Sequence, residues 1–258
     1  MIHFVGAGPG ACDLITVRGA ELLKAADVVI YAGSLVNPVL LGMCREEASI
    51  YNSAEMTLEE VAQVMTAAEA QGKMTVRLHT GDPCLYGAIK EQMALMDKAG
   101  IAYDVTPGVS SFTGAAAAIP AEYTLPGVSQ SVIITRMAGR TPVPERESIA
   151  SLAEHGCTMV IFLSAGMLPE LQAELLKGAY SEETPSAIVY KATWPEEKVI
   201  FTPLKRLAEA GREHGISRTA LVLVGDFLGE GYERSRLYDP HFSTGYRKGN
   251  CKCGEEPS

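Results

Sequence analysis

The segment LHTGDPCLYG, residues 78–87, combines the residue types that a ligand-binding loop needs. Gly81 has no side chain, so the backbone there can approach a bound molecule closely. The carboxylate of Asp82 can accept hydrogen bonds from the segment that follows or from a ligand. The apolar run before this loop is typical of a strand, which predicts the loop at the carboxyl edge of a sheet, where α/β proteins bind ligands. A plain turn capped by Asp82 is the alternative.

A second glycine loop, VGAGPGACDLITVRG, lies near the start of the chain. Its first residues satisfy the G-x-G-x-x-G/A spacing of dinucleotide-binding folds. However, the helix is predicted to begin near Thr16 rather than at the glycines, and Pro9 removes a donor from the segment that would face a pyrophosphate. The next apolar run, DVVIYAG, ends without the acidic residue that ribose binding requires. The pattern favours a tight loop that presents its backbone to another ligand, and a purely structural turn stays open.

Four basic residues are candidates for binding a ligand that bears carboxylates. Arg136 and Arg140 lie four positions apart in TRMAGRTPVPE, where glycine and proline predict a loop. A guanidinium donates two parallel hydrogen bonds to a carboxylate, which suits such a role. Arg77 and Lys191 lie beside the ligand-loop motifs. An ordinary surface ion pair is the alternative for each of the four.

The sequence contains no evident nucleophilic triad or metal site. None of its five histidines has an obvious partner, although His79, beside the ligand loop, is a candidate for proton transfer. The six cysteines are scattered, which predicts free thiols in a reducing cytoplasm. Only Cys251 and Cys253 are close together, and their neighbours offer no further metal ligands. We therefore name no catalytic group and predict no metal.

Strand-like and helix-like runs alternate along the chain, which predicts right-handed βαβ units. The alternation pauses at IPAEYTLPGVS, whose prolines indicate a boundary. We therefore predict an α/β protein of two domains with mostly parallel sheets. The predicted segments are a first domain at 1–118, a linker at 119–129, a second domain at 130–230 and a polar tail at 231–258.

Composition narrows the classes of partner. The chain has 258 residues, 47% of them hydrophobic, enough to bury a full core. Its formal net charge of −9 disfavours nonspecific nucleic-acid binding, which needs a basic surface. No apolar run is long enough for a membrane helix, and the first residues do not resemble a secretory signal. We therefore expect a cytoplasmic protein that binds neither nucleic acid nor membrane.

Four ordered segments resemble one known family: VGAGPGACDLITVRG, ADVVIYAGSLVNP, VRLHTGDPCLYG and VTPGVSSFTGAAAAIPAEYTLPG. They are similar to the tetrapyrrole methylases of the cobalamin and sirohaem pathways. YAGSLVNP with IITRMAGRTPVPE looks most like the members that act on corrinoid precursors. The resemblance implies a two-domain α/β protein, usually a homodimer, with an active-site cleft between its domains. It implies C-methylation by S-adenosylmethionine, which leaves S-adenosylhomocysteine as product.

The resemblance also assigns site residues, position by position. In the first domain it places S-adenosylmethionine against Pro9, Thr80, Gly81, Asp82, Leu85, Ser110 and Ser111. In the second domain it adds Leu163, Ala192, Thr219 and Ala220, for which a place in the core is the alternative. The substrate would be a tetrapyrrole with many carboxylates, and Arg136, Arg140, Arg77 and Lys191 are the residues expected to contact it.

One departure from the related uroporphyrinogen-III methyltransferases concerns the general base. Those enzymes carry an acidic residue just after the second strand, where this chain has Ala32, Gly33 and Ser34. Small residues there leave room for a bulky ring. Two other interpretations remain open: a protein or ribosomal RNA methylase on the same fold, and a regulator that binds S-adenosylmethionine without turnover. The acidic balance disfavours RNA.

Overall fold

The computed structural model describes residues 1–250, so Cys251 and Cys253 lie outside the described residues. The chain divides into two compact units. The first comprises Met1–Pro120, Ile188–Ile200 and Gly215–Leu221, and the second comprises Ala121–Ala187, Phe201–His214 and the chain from Val222 onward. Two short segments that the sequence-based boundaries assign to the second domain, 188–200 and 215–221, thus cluster with the first unit. Several of the predicted cofactor contacts are on these two segments.

The first unit is built on a five-stranded sheet whose pairings are all parallel. Its strands are β1 (Ile2–Gly6), β2 (Val28–Tyr31), β3 (Ser49–Asn52), β4 (Thr75–His79) and β5 (Tyr103–Thr106), in the order β3-β2-β4-β1-β5. From β1 the chain crosses to β2, whereas from β4 it crosses in the opposite direction to β5. Ligands of open α/β sheets bind at such a reversal, outside the carboxyl ends of the two strands. Here that point lies between β1 and β4.

Four helices accompany this sheet: α1 (Val17–Ala25), α2 (Leu58–Ala70), α3 (Ile89–Ala99) and α4 (Ser111–Ala118). Side chains of β1 alternate between two apolar clusters. Val5 belongs to the cluster that contains Leu23 of α1, and Phe4 to the cluster that contains residues of α2 and α3. Both faces of the sheet are therefore covered, as the near-continuous apolar strands predict.

Local signals in the sequence set the helix ends. The Thr16 side chain accepts a hydrogen bond from Gly19 N–H and begins α1. Thr57 and Glu60 form the reciprocal capping box of α2. Gly100, in the left-handed conformation, ends α3. These three sequence-based predictions are confirmed.

The second sheet also has five strands, and its direction is mixed. Its strands are β6 (Val132–Arg136), β7 (Thr158–Phe162), β8 (Pro185–Tyr190), β9 (Lys198–Pro203) and β10 (Ala220–Val224), in the order β6-β7-β10-β8-β9. Its helices are α5 (Ile149–Ala153), α6 (Leu168–Leu175) and α7 (Leu207–Glu213). β6 and β7 are parallel, but β7 and β10 are antiparallel.

The α/β class is confirmed, whereas the expectation of a mostly parallel second sheet is corrected by the antiparallel pairing of β7 with β10. The connection between β8 and β9 is also shorter than the dozen or more residues of a typical parallel crossover. Within the described residues, no helix is long and apolar enough to cross a membrane.

Candidate functional site

The two glycine loops meet at the reversal point between β1 and β4. Gly8 and Gly81 form an isolated antiparallel bridge. Gly8 N–H donates to Gly81 O at 3.2 Å, and Gly81 N–H donates to Gly8 O at 2.8 Å. Both glycines have positive φ, +83° and +58° respectively, which glycine adopts at low cost. We call this pairing the glycine junction.

A third loop, after β5, brings its backbone into close contact with the glycine junction. A Cβ on Gly108 would lie 2.2 Å from Gly81 O and 2.8 Å from the Cα of Gly6. A Cβ on Gly6 would lie 2.5 Å from the Cα of Gly108. No side chain fits between these backbones, so the three loops hold a fixed spacing only with glycine at both positions.

Asp82 joins the loop after β4 to the loop after β5. Its Oδ1 accepts from Cys84 N–H at 2.8 Å, and its Oδ2 accepts from Gly108 N–H at 2.9 Å. Partial burial acts to raise the pKa of Asp82, but hydrogen bonds from Cys84 and Gly108 outweigh it and hold the pKa below its ordinary value. The carboxylate is thus ionised at neutral pH, with each oxygen bonded to a backbone donor. This geometry supports a loop-organising role for Asp82.

The start of α4 offers hydrogen-bond donors next to Gly81. A Cβ on Gly81 would lie 3.4 Å from Ser111 N and 3.5 Å from the Cα of Ser110. Ser110 is buried, and its side chain makes no capping bond to the helix. The first N–H groups of a helix carry partial positive charge and suit an acceptor. Ser110 and Ser111 therefore lie beside Gly81 of the glycine junction.

The opening loop, residues 8–11, has its carbonyl groups occupied. Pro9 O accepts from Trp194 Nε1 at 3.0 Å, Gly10 O accepts from Asn37 Nδ2 at 2.9 Å, and Ala11 O accepts from Leu14 N–H at 3.1 Å. Ala11 N–H donates to Thr193 Oγ1 at 3.0 Å. Within residues 1–250 we find no partner for the N–H of Gly10, a buried residue. A buried donor of this kind calls for an acceptor such as a ligand atom or a water.

Lys191, Thr193 and Thr219 of the first unit have strained backbones, with φ of +47°, +69° and +55°. In the second unit, Leu163 has φ of +53°. For β-branched residues such conformations are outliers, and they cluster at functional sites. Lys191 N–H donates to Thr219 O at 2.9 Å, which joins two of these strained positions.

The predicted cofactor contacts fall mainly in the first unit. That unit contains ten of them: Pro9, Thr80, Gly81, Asp82, Leu85, Ser110, Ser111, Ala192, Thr219 and Ala220. Leu163, just after β7, belongs to the second unit and is 64% exposed, so it lies outside the core. Ala192 and Ala220 are buried, as their alternative interpretation as core residues also expects.

Arg77 differs from its predicted role as a substrate contact. It is buried, with Nε donating to Gln92 Oε1 at 2.9 Å and Nη1 donating to Ile30 O at 3.1 Å. Burial lowers its pKa to about 10. Gln92 Nε2 in turn donates to Ala88 O at 3.0 Å, just before α3. The structure thus places Arg77 as a buried support for the end of the ligand loop, with its guanidinium donors used inside the first unit.

Arg136 also uses its side chain locally. Its Nη1 donates to Met137 O and Thr141 O, each at 3.2 Å, and its Nη2 donates to Pro142 O at 2.8 Å. It therefore organises the loop after β6. Arg140 within that loop is exposed, and in the described part of the chain its guanidinium has neither a hydrogen bond nor an ion pair.

Lys191 lies in the first unit beside Trp194. Its Nζ is 5.0 Å from the centre of the Trp194 ring and 3.6 Å from a Glu196 carboxylate oxygen. Its side chain is 24% exposed, so it remains accessible to an anion.

His79 is a buried, neutral imidazole at the end of β4. Burial and the nearby Arg77 cation lower the pKa of His79 to about 3. Its Nε2 has no hydrogen-bond partner in the described residues. Proton transfer at neutral pH gains no support from so low a pKa. Across residues 1–250 no cluster of three or more histidine, cysteine, aspartate or glutamate residues could hold a metal ion, and Cys12, Cys44, Cys84 and Cys157 are free thiols.

Sequence reasoning missed four residues of this site: Asn37, Gly108, Thr193 and Trp194. Asn37 and Gly108 stand inside quoted motifs, as the Asn-Pro of GSLVNP and the Pro-Gly of VTPG, and both dipeptides are turn signals that mark such positions. Thr193 and Trp194 contact the opening loop from more than 180 positions away along the chain, and no local pattern indicates that.

Comparisons with known proteins bear on the family and the fold of this chain. A family model described as Tetrapyrrole (Corrin/Porphyrin) Methylases matches residues 1–208. The cobalt-precorrin-4 C(11)-methyltransferase of Methanocaldococcus jannaschii is 52% identical over 252 residues, 97% of each chain. A crystal structure of a cobalt precorrin-4 methyltransferase superposes with a TM-score of 0.87 at 47% identity, covering 89% of this chain and 96% of that one.

A more distant structure shares the fold. The uroporphyrin-III C-methyltransferase of Thermus thermophilus, solved with S-adenosylhomocysteine, has a TM-score of 0.74 at 24% identity and covers 88% of this chain and 98% of its own.

Proposed function

Since the chain belongs to the family of tetrapyrrole methylases, we propose that it is an S-adenosylmethionine-dependent C-methyltransferase. Its substrate in this proposal is cobalt-precorrin-4 or metal-free precorrin-4, methylated at C11 in cobalamin biosynthesis. The observation that carries the proposal is the identity of 52% over nearly the whole chain with an enzyme of that name. The cobalt-bearing substrate is the first choice, because that relative and the superposed crystal structure are both named for it.

The residues at the glycine junction fit S-adenosylmethionine. They offer donors: the N–H of Gly10, the Ser110 hydroxyl and the first N–H groups of α4. S-adenosylmethionine presents acceptors in its carboxylate, its ribose and its adenine. When bound, it would supply a methyl group on a sulfonium, ready for in-line attack by an electron-rich ring carbon.

The chain's own contribution is to position the reactants. Gly6, Gly81 and Gly108 fix three loops at contact distance, and Asp82 ties two of them together. Holding two reactants at attack distance can lower a barrier by roughly 7–11 kcal/mol. Neutral His79 and the small residues after β2 leave no general base to name, and the proposed reaction needs positioning above all.

In this proposal Arg140 and Lys191 bind carboxylates of the tetrapyrrole, and Arg136 holds the loop that carries Arg140. Arg140 presents an exposed guanidinium, and Lys191 an ammonium beside an aromatic ring. Both are suited to the acidic side chains of a tetrapyrrole. Arg77 is left out, because its donors are used inside the first unit.

We also propose a cytoplasmic homodimer, which the family resemblance supports. Light scattering should give twice the mass of one 27.5 kDa chain at micromolar concentration. A single-chain mass throughout would contradict the dimer and leave the proposed chemistry untouched.

A direct assay tests the proposed reaction. The protein is incubated with S-adenosylmethionine and either cobalt-precorrin-4 or precorrin-4, and the tetrapyrrole is analysed by mass spectrometry and NMR. We expect a mass gain of one methylene unit, with the new methyl on C11, and faster turnover of the cobalt form. Methylation at another carbon would point to another member of the family. Tight binding of S-adenosylhomocysteine without methyl transfer to either tetrapyrrole would favour a regulator.

A further inference from the structure

The segment between β8 and β9, residues 191–197, crosses the opening loop and contacts it in three ways. We call this segment the strap. Trp194 Nε1 donates to Pro9 O, and Thr193 Oγ1 accepts from Ala11 N–H. The Trp194 ring also covers Gly10 so closely that a Cβ there would lie 2.1 Å from Cδ1. Every one of these contacts joins residues of the first unit.

The strap maintains these contacts at a conformational cost. Thr193 is β-branched and has φ of +69°, a conformation that such residues rarely adopt. Its N–H donates to Glu197 Oε2 at 2.6 Å, which fixes the turn. A glycine or asparagine would adopt this backbone at lower cost, but glycine would supply no hydroxyl for Ala11. The strain thus coincides with a side-chain atom that holds the opening loop, as expected where function outweighs local stability.

Pro9 is also confined from its other side by α4. A Cβ on Gly114 would lie 2.9 Å from Pro9 Cβ and 3.4 Å from Thr193 Cγ2, so helix, loop and strap meet at one point. The loop that presents the unpartnered Gly10 N–H is therefore set by the strap and α4 together. A shift of the strap would move that donor relative to the donors at the start of α4.

We propose that Thr193 and Trp194 are positioning residues for the cofactor: they hold Pro9–Ala11 in the shape that binds S-adenosylmethionine. This inference rests on the proposed function. It assigns Thr193 and Trp194 of the strap to cofactor affinity, while the tetrapyrrole carboxylates are left to Arg140 and to Lys191, the first residue of the strap. Neither residue is given a direct part in methyl transfer.

A matched pair of variants tests the role of Thr193. Thr193→Ser and Thr193→Ala both remove the β-branch and differ by one oxygen atom. We expect Thr193→Ala to raise the dissociation constant of S-adenosylhomocysteine by roughly five- to tenfold, as the loss of one hydrogen bond implies, and Thr193→Ser to stay close to wild type. The Tm of the two variants should agree, and the KM for the tetrapyrrole should change less than twofold. If Thr193 had a purely structural role, its replacement would instead lower the Tm and would change the affinities for S-adenosylhomocysteine and for the tetrapyrrole to the same extent.

Trp194→Phe supplies the second test, because it keeps an aromatic ring over Gly10 but loses the N–H donated to Pro9. The same weakening of S-adenosylhomocysteine binding is expected. Trp194 is the chain's single tryptophan, so its fluorescence in the wild type should change on titration with S-adenosylhomocysteine.

The outcomes separate the two proposals. If the wild type binds no S-adenosylhomocysteine, the proposed function and this inference both fail. If the wild type binds it and the alanine and phenylalanine variants bind equally well, with unchanged tryptophan emission, the inference alone is overturned.

Discussion

Two loops of this molecule are each organised by one charged side chain, but over very different ranges. Asp82 accepts hydrogen bonds from its own loop and from Gly108, 26 positions away, and so joins neighbouring loops of the first sheet. Arg136 donates only to carbonyls of its own loop, at most six positions away. A carboxylate that accepts hydrogen bonds from N–H groups of two loops fixes the position of one loop against the other. A guanidinium that donates to carbonyls of its own loop fixes only the shape of that loop.

The difference suits the two proposed ligands. A cofactor that every turnover uses needs donors held at constant spacing, and the glycine contacts of the first unit provide it. A ring with many carboxylates needs exposed cations on a loop that keeps its own shape. Arg140 provides an exposed cation, and Arg136 holds the shape of the loop. Changes in the first loop should therefore affect stability and cofactor binding together, and changes in the second should affect substrate binding with little loss of stability.

We expect the largest effect on stability and cofactor binding from Gly108→Ala. Its new Cβ would lie 2.2 Å from Gly81 O, and backbone on both sides prevents relief. Adding a methylene to a well-packed core of side chains already costs about 1–3 kcal/mol, and here the new carbon meets backbone, so we expect a loss of at least about 3 kcal/mol in the free energy of unfolding. Binding of S-adenosylhomocysteine should be lost. Urea denaturation and calorimetry measure the two effects.

Gly42→Ala is the control for that change, because no atom lies within 4 Å of its Cβ position. It should retain wild-type stability and binding. Equal behaviour of the two variants would show that the loops after β1, β4 and β5 can separate freely.

The next effect is that of Asp82→Asn. The amide offers one acceptor where the carboxylate offers two, so one N–H, from Cys84 or Gly108, faces a donor. We expect the free energy of unfolding to fall by about 1–3 kcal/mol at neutral pH, and S-adenosylhomocysteine to bind more weakly. Asp13→Asn, on an exposed aspartate near the opening loop, serves as the control.

The pH dependence of Asp82→Asn sharpens this test. The folded-state pKa of Asp82 is depressed, so its stabilisation is complete above the unfolded pKa and is lost as pH falls through the folded one. The difference in the free energy of unfolding between the wild type and Asp82→Asn should therefore narrow below about pH 4. Both proteins retain buried His79, which is protonated more readily in the unfolded chain than in the folded one. Each protein therefore loses the same amount of stability from His79 as the pH falls below about 6. A difference that stayed constant down to pH 2 would contradict the role of the Asp82 charge.

The same contrast explains what the sequence could predict. Most strand and helix identities, the caps at Thr16 and Thr57 and the loop around Gly81 follow from local patterns, and local physics decides them. The short strand β3 is not predicted, because its four residues SIYN are exposed or half-buried and carry no apolar run. Arg77 shows the limit: its motif indicates a ligand site, but only the packed structure places its guanidinium against Gln92 and Ile30 O. Trp194 shows the same limit for a residue that no motif marks, because its partner Pro9 is 185 positions away along the chain.

Arg136→Ala should produce a smaller effect than either change in the first unit. Its side chain is half-buried and bonds to three carbonyls that water can reach, so we expect a loss of about 1 kcal/mol in the free energy of unfolding. Tetrapyrrole affinity should fall, since the loop after β6 loses its shape, while S-adenosylhomocysteine affinity stays unchanged. Arg136→Lys restores the charge without the fork and should recover only part of both losses. A fall in S-adenosylhomocysteine binding equal to that of the tetrapyrrole would contradict the assignment of this loop.

Arg140→Ala should give the smallest effect, and it isolates charge from loop structure. Its guanidinium is exposed and has no partner among the described residues, so removal should leave Tm unchanged. Exposed ion pairs contribute about 0.2–1 kcal/mol, which predicts a roughly two- to fivefold rise in the tetrapyrrole dissociation constant. That rise should shrink as salt is added, because an exposed pair is screened. Arg146→Ala removes another exposed arginine of the second unit, whose one ion pair within residues 1–250 is with Glu147 at 3.8 Å, and should change neither affinity. If Arg140→Ala and Arg146→Ala weaken binding equally, the tetrapyrrole responds to overall charge, and the loop after β6 has no specific part in recognising it.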